Sequence, residues 1–330
     1  MMAQKTRQIT YAQAICEATH QAFELDPSVF LMGQGTQGAG FIFGTVEGLF
    51  EKFGSDRVIE TPLSEAATAG ICIGAALDGM RPILVIQRAD FLYLMLDQLI
   101  NHAAKWRFMF GGQTKIPLVV RCIIGKGWGQ GPQHSQSLHS LCGHFPGLRV
   151  VFPSLAYDAY GLLLNSVFSD DPVIFFEGRP QHSQKDEVPI EPFVNPFGKI
   201  RIVSEGRDIT VLNCSFTLQE ARTAVKQLSQ EYISVELLDL ISISPLDYAG
   251  IEASVRKTKR LLIVDTSWKT SGISSTISAE ISRRLFNQLK APIEILTVPD
   301  CPVPTAANLE AAYYPSVESI LDSTRHLVKI

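Results

Sequence analysis

The chain has 330 residues, enough for two domains with separate cores. Its 29 basic and 33 acidic residues leave a net charge of −4 and form no basic stripe, which excludes an electrostatic nucleic-acid binder. At 46% hydrophobic and 19% charged it reads as a globular protein somewhat poor in charge, as a large apolar interface would make it. No apolar run is long enough to cross a membrane, and MMAQKTRQIT lacks the apolar core of a signal peptide, so a cytoplasmic protein is expected. The six cysteines, Cys16, Cys72, Cys122, Cys142, Cys214 and Cys301, form no CxxC pair and sit mostly in apolar runs, as small buried residues do.

Thr10 and Gln13 have capping-box spacing for a helix reaching about Glu24. A buried strand is expected at 29–32. It is followed by the glycine-rich loop GQGTQGAG at 33–40, which matches neither phosphate-binding spacing and reads as a flexible loop or a weak cradle. Residues 45–53 look helical. The stretch ETPLSEAATAGICIGAALDG, from Glu60 to Gly79, then sets Ser64 as N-cap of a helix with almost no side-chain bulk. A strand is expected at 83–87 and a long amphipathic helix at 91–110, stopped by Gly111 and Gly112. Strands follow at 116–124, 148–152 and 173–177, with a helix at 157–168. Strand alternating with helix implies a mainly parallel sheet covered on both faces. The proline-rich stretch 178–199 reads as a surface linker. A second α/β domain has strands at 209–213, 234–239, 261–265 and 293–298, and helices at 218–231, 248–258 and 275–289.

Three features could carry chemistry. Glu65 is the only acid between Glu60 and Asp78. It is either an ordinary first-turn acid or a catalytic group at the mouth of a closely packed helix. His134 follows a second glycine-rich loop, GKGWGQG, and is flanked by Gln133, Ser135, Gln136 and Ser137, which marks a place where backbone passes near a ligand. His139 and His144 lie nearby, at no zinc-ligand spacing. Phe91, with Tyr93, follows a strand end, where an aromatic either stacks on a flat heterocycle or fills the core. No G-x-S-x-G, HExxH or P-loop is present.

Across nearly its whole length the chain resembles the beta subunit of the thiamine-diphosphate-dependent first component of 2-oxo acid dehydrogenase complexes. The likeness rests on VFLMGQ, GLFEKFG, RVIETPLSEAATAGICIGAALDGMRP, GGQTKIPLVVR, GPQHSQSLHS, PGLRVVFPS, DPVIFFE, ISPLD, VDTSWKT and VPDCPVP, in order. It implies an α/β fold: a thiamine-diphosphate-binding, pyrimidine-binding parallel-sheet domain at 1–185, a linker at 186–200 and a transketolase C-terminal-like domain at 201–330. It also implies that the Glu65 carboxyl, shielded from water, bonds the aminopyrimidine ring nitrogen of thiamine diphosphate and so helps the cofactor lose its C2 proton. By the same resemblance Leu63 would lie in the loop whose backbone contacts the pyrimidine, Phe91 would pack on it and Gln87 would stand beside it. His134 sits at the substrate end, for acyl transfer.

The chain has no Gly-Asp-Gly, the motif with which the family's alpha subunit holds the diphosphate and magnesium. The resemblance therefore implies half of an active site, completed by an alpha subunit in an α2β2 assembly with a beta–beta contact, and with a lipoyl acyltransferase as a further partner. No metal ligand is expected in this chain. Several positions depart from the family pattern: Gln34 and Gly35 replace acids, Gln87 and Arg88 replace apolar or aromatic residues, and Ile241 and Ser242 replace a basic-polar pair. Thr266 replaces an acid, and Ser169 the aspartate of a cation loop. They bear on which 2-oxo acid is used and on whether the acceptor is lipoamide or, as in a split transketolase or acyloin-forming enzyme, an aldehyde. A non-catalytic scaffold would have no use for Glu65 and His134.

Overall fold

Runs of β-branched and aliphatic residues, long enough to be buried on both faces, build the first sheet. A computed structural model describes residues 5–37 and 41–330. Residues 38–40 of the first glycine-rich loop and the first four residues lie outside it. The chain forms two compact units. The first runs up to Gly125 and takes in Cys142–Phe197; the second comprises Lys126–Leu141 and Gly198–Ile330.

The strands of the first unit are β1 (Thr6–Thr10), β2 (Val29–Gly33), β3 (Val58–Glu60), β4 (Arg81–Ile86), β5 (Val119–Ile124), β6 (Arg149–Val151), β7 (Val173–Gly178) and β8 (Lys185–Pro189). Its parallel sheet runs β6-β7-β5-β4-β2-β3, with Leu31 opposite both Val58 and Ile83. Every residue of β2, β5 and β7 is buried, as a sheet covered on both sides requires. At the end of β2, Gly33 lies so close to β4 that a Cβ would stand 2.6 Å from the Val85 carbonyl oxygen. Helix α1 (Tyr11–Leu25) starts on the expected Thr10–Gln13 capping box and packs against α6 (Ala156–Val167). Between them in sequence come α2 (Leu49–Phe53), α3 (Glu65–Leu77), α4 (Ala104–Met109) and α5 (His139–Gly143).

Two expectations are corrected. The stretch 178–199 is not all linker, because β8 pairs antiparallel with β1, Thr6 opposite Pro189. Neither strand has an apolar run, since most of their residues face water, so periodicity could not reveal them. The helix expected at 91–110 is α only over α4. It begins as a 3-10 turn over Ala89–Met95 and widens to a π-turn over Gln98–Ala103. Gly111 and Gly112, both at positive φ, stop it as expected.

In the second unit β9 (Arg201–Ser204), β10 (Ile209–Asn213), β11 (Val235–Asp239), β13 (Leu261–Trp268) and β14 (Glu294–Val298) form a sheet of order β14-β13-β10-β11-β9, parallel except for β9; Ser242–Ser244 is the short β12. Helix α7 (Leu218–Gln230) packs with α11 (Val317–Lys329), and α8 (Tyr248–Thr258) with α9 (Ile273–Leu285); α10 is Ala307–Tyr313.

Candidate active site

Pro62, Leu63 and Ser64 form the mouth of α3. Ser64 is the N-cap residue, but at φ −161° and ψ 64° its hydroxyl makes no capping bond. Thr68 closes the first turn instead: its amide donates to the Ser64 carbonyl at 2.9 Å and its hydroxyl to the Glu65 carbonyl at 3.1 Å. Leu63 is 77% exposed and Glu65 half-buried. One side of the helix, Thr68, Ala69, Cys72, Ile73 and Ala76, is buried, and the helix packs on β4. The other side, with Ala66, Ala67, Ile71 and Gly74, is apolar and exposed.

The same helix packs against the 3-10 turn that carries Phe91 and against the following π-turn. The helix that Glu65 opens is thus packed against the turn that carries Phe91, which is half-buried. Gln87, at the end of β4, has a local partner: its side-chain amide donates to the Gln34 carbonyl at 2.9 Å. From β3, Glu60 accepts the Gly35 and Thr36 amides, each at 2.7 Å, and the Thr36 hydroxyl at 3.0 Å. Burial opposes charge on Glu60, but these donors win and lower its pKa. The described part of the first glycine-rich loop is therefore tied down rather than flexible. Two of its amides are already spent on a carboxylate, so they cannot cradle a phosphate.

Sequence reasoning missed the ionic group behind this edge. Arg121, in the middle of β5, is fully buried and forks onto Glu177 of β7 at 2.6 and 3.0 Å, with a third bond of 2.7 Å to the Thr45 hydroxyl. His182 lies 3.6 Å from the same carboxylate and is stacked on Tyr11. Burial opposes ionisation of Glu177, yet the Arg121 charge and the His182 contact hold its pKa down at about 2. Burial lowers the pKa of His182. The signal was there to read: one arginine inside the strand VVRCII, and one glutamate closing VIFFE.

His134 ends a short 3-10 turn (Gly131–Gln133) in a segment that belongs to the second unit, and it is half-buried. Both ends of that segment are pinned. At its start Lys126 pairs with Glu220 at 3.1 Å and the Gly127 amide donates to Glu310 at 2.8 Å. At its end Ser137 bonds Thr266 at 3.0 Å, His139 bonds Asp265 at 2.9 Å and Ser140 bonds Ser267 at 2.9 Å. His139 and Asp265 are both fully buried. Burial opposes charge on Asp265, but His139 and the Ser267 donors lower its pKa. Between the pins, Gly129 and Gly131 have positive φ and press on Thr305; a Cβ on Gly131 would stand 2.4 Å from the Thr305 hydroxyl. The glycines of the second loop are thus a steric requirement of this packing.

Among the described residues no group of three His, Cys, Asp or Glu could hold a metal ion. Four cysteines are buried, and burial pushes the Cys72 and Cys142 thiols up to about 12. Among the described residues no helix is long and apolar enough to cross a membrane.

Comparison with known proteins gives this geometry a context. Residues 7–184 match the transketolase pyrimidine-binding domain and residues 198–320 the transketolase C-terminal domain. The chain is 40% identical to the beta subunit of acetoin:2,6-dichlorophenolindophenol oxidoreductase from Cupriavidus necator, over 98% of each chain. It is 37% identical to the pyruvate dehydrogenase E1 beta subunit of Rickettsia felis, over 96% of this chain and 98% of the relative. The chain belongs to the E1 beta-subunit family of 2-oxo acid dehydrogenases. The 2-oxoisovalerate dehydrogenase beta subunit of Bacillus subtilis is a further E1 beta relative, 38% identical over 97% of this chain and 99% of its own. The fold is also that of a split-gene transketolase solved as an inactive beta4 tetramer, with a TM-score of 0.78 at 17% identity over 97% of this chain and 98% of that one.

Proposed function

We propose that this E1 beta chain serves, in the cytoplasm, as the cofactor-activating half of a thiamine-diphosphate-dependent 2-oxo acid dehydrogenase or decarboxylase. The observation that carries the reading is Glu65: a carboxyl at the mouth of a helix of small residues, packed beside the Phe91 turn, on a face this chain leaves open. The donor set fits the pyrimidine end of the cofactor and not its phosphate end. A carboxyl, an aromatic and an exposed Leu63 loop are at hand, whereas the Gly35 and Thr36 amides are taken by Glu60. Bound there, the cofactor supplies the electron sink for decarboxylating a 2-oxo acid. Glu65 would hold a proton against the pyrimidine ring nitrogen, the Leu63 backbone would orient the ring, Phe91 would pack on its face, and Gln87 would fix the adjoining loop.

Half-buried as it stands, the Glu65 carboxyl would be shielded only when another surface covers the apolar face of α3. That surface is assigned to an alpha subunit, which would also hold the diphosphate and magnesium in an α2β2 assembly. His134 would act at the substrate end and transfer the acyl group to lipoamide. The alternative is an aldehyde that takes the carbanion in place of the lipoyl group; the acetoin-type relatives, whose name makes acetoin the compound oxidised, bear on the donor rather than on this acceptor. In the assembled enzyme Glu65→Gln should keep cofactor binding and lose activity by about 100-fold or more, the scale of a lost acid–base group. A variant as fast as the parent would reject the assignment.

A further inference from the structure

The edge of the first sheet that carries Gln87 and Phe91 also carries two arginines whose setting the proposed cofactor chemistry does not use. Arg88 follows β4 and Arg179 follows β7, on either side of β5, so both leave the C-terminal ends of parallel strands, where such sheets bind ligands. Both guanidiniums stack on one ring, that of Phe43, at 4.5 Å for Arg179 and 5.3 Å for Arg88. The ring is presented by an unusual backbone. Ile42 and Phe43 both have positive φ, at 47° and 58°, a strained conformation for bulky side chains that clusters at functional sites. Each arginine is half-buried. Arg88 also donates to the Gln87 carbonyl at 2.6 Å; the charged groups near the two arginines include Asp90, which attracts Arg88, and, behind, Arg121, Glu177 and His182. Holding two guanidiniums on one ring costs desolvation and mutual repulsion, and an anion bridging both would offset each cost.

We infer that Arg88 and Arg179, carried on Phe43, form a subsite for a second anionic group on the substrate, a phosphate or a carboxylate remote from the reacting carbonyl. Substrates of this class are phosphorylated ketoses and dicarboxylic 2-oxo acids. The inference rests on the proposed reading of the Gln87–Phe91 edge as the cofactor wall. It deepens that reading by naming what the substrate must carry.

The test uses the enzyme assembled with its alpha-type partner. Selectivity is the ratio of kcat/KM on a phosphorylated ketose, or on a dicarboxylic 2-oxo acid, to kcat/KM on pyruvate. In the parent one of these ratios should exceed 1, and whichever does identifies the phosphate or the carboxylate. Arg88→Gln and Arg179→Gln should each lower that ratio about 10- to 100-fold, the scale of a charge-assisted hydrogen bond. Arg88→Lys should recover it only in part, having the charge without the planar fork. A parent with no preference for either doubly charged substrate overturns the inference. So do variants that slow all substrates alike because assembly or cofactor binding is lost. A second readout needs no turnover: inorganic phosphate should stabilise the parent assembly against heat and should not stabilise the Arg88→Gln/Arg179→Gln double variant. If Glu65→Gln proves fully active while the phosphate effect still depends on the arginines, the cofactor reading fails and the anion subsite stands.

Discussion

Among the described residues each unit holds a fully buried side-chain pair built on a carboxylate, Arg121–Glu177 in the first and His139–Asp265 in the second, and the two pairs do different work. Arg121 and Glu177 join neighbouring strands inside a sheet, where backbone bonds already fix the register of Arg121 opposite Phe175. His139 and Asp265 join a loop to a strand, and side-chain bonds of this kind, with the packing of Gly129 and Gly131, are what orders that loop. The first pair therefore weighs on the stability of the whole unit. The second sets the position of a single short segment, the one carrying His134. Burial alone does not tell such pairs apart; what else holds the joined elements does.

The largest expected effect breaks the first pair. Arg121→Met leaves the Glu177 carboxylate buried with only His182 beside it and should destabilise the chain by about 3–5 kcal/mol. Thermal unfolding with and without Glu177→Leu checks this: the double variant should recover much of the loss, because no unpaired charge is left inside. Next comes the second pair. Asp265→Asn should cost about 1–3 kcal/mol, the scale of a lost buried polar partner. Its sharper effect should be on turnover: kcat should fall while cofactor affinity holds, because Asp265 is a positioning residue for the His134 segment. If kcat falls no more than it does for a distant substitution of equal stability cost, the pair merely holds the fold.

Acid sharpens the contrast further. Both Glu177, at about 2 against an ordinary value of 4.5, and His182, below its ordinary 6.5, have folded pKa values lower than their unfolded ones. Groups of that kind stabilise the fold above the unfolded pKa and lose the contribution as pH falls. Stability should therefore begin to drop as pH passes below about 6.5, from His182. It should drop more steeply from about 4.5 towards 2, from Glu177. Melting temperature against pH should show the lower step, and Arg121→Met should diminish it, since the arginine is what holds Glu177 charged.

Much of this was legible in the sequence where a single local rule decides. The Thr10–Gln13 box, the buried runs of β2, β4 and β7, and the Gly111–Gly112 stop all follow from residues a few positions apart. The small-residue helix behind Glu65 was equally plain, because Ala and Gly at helical spacing leave little else to read. What escaped depends on partners far away in the chain. β1 and β8 are polar strands that exist because they pair with each other across more than half of the first unit. His139 looked like a spare histidine until Asp265, on β13, was placed against it. The glycine-rich loops looked alike in composition. Only the packing on Thr305 and the reach of Glu60 show why each holds as it does.

The smallest prediction addresses the first of those loops. If Glu60 merely locks residues 35–36, Glu60→Gln should weaken charge-assisted bonds to their amides and speed hydrogen exchange at Gly35 and Thr36 about five- to tenfold. If the loop is a phosphate cradle held shut, the same substitution should free those amides and raise the affinity of the assembled enzyme for inorganic pyrophosphate. The lock is expected. Its carboxylate reaches three donors at once, and the Gln87 amide ties the neighbouring Gln34 carbonyl to β4, so releasing Glu60 alone would loosen the loop without reshaping it. Faster exchange with unchanged pyrophosphate affinity would leave the first loop as structural as the Arg121 pair behind it.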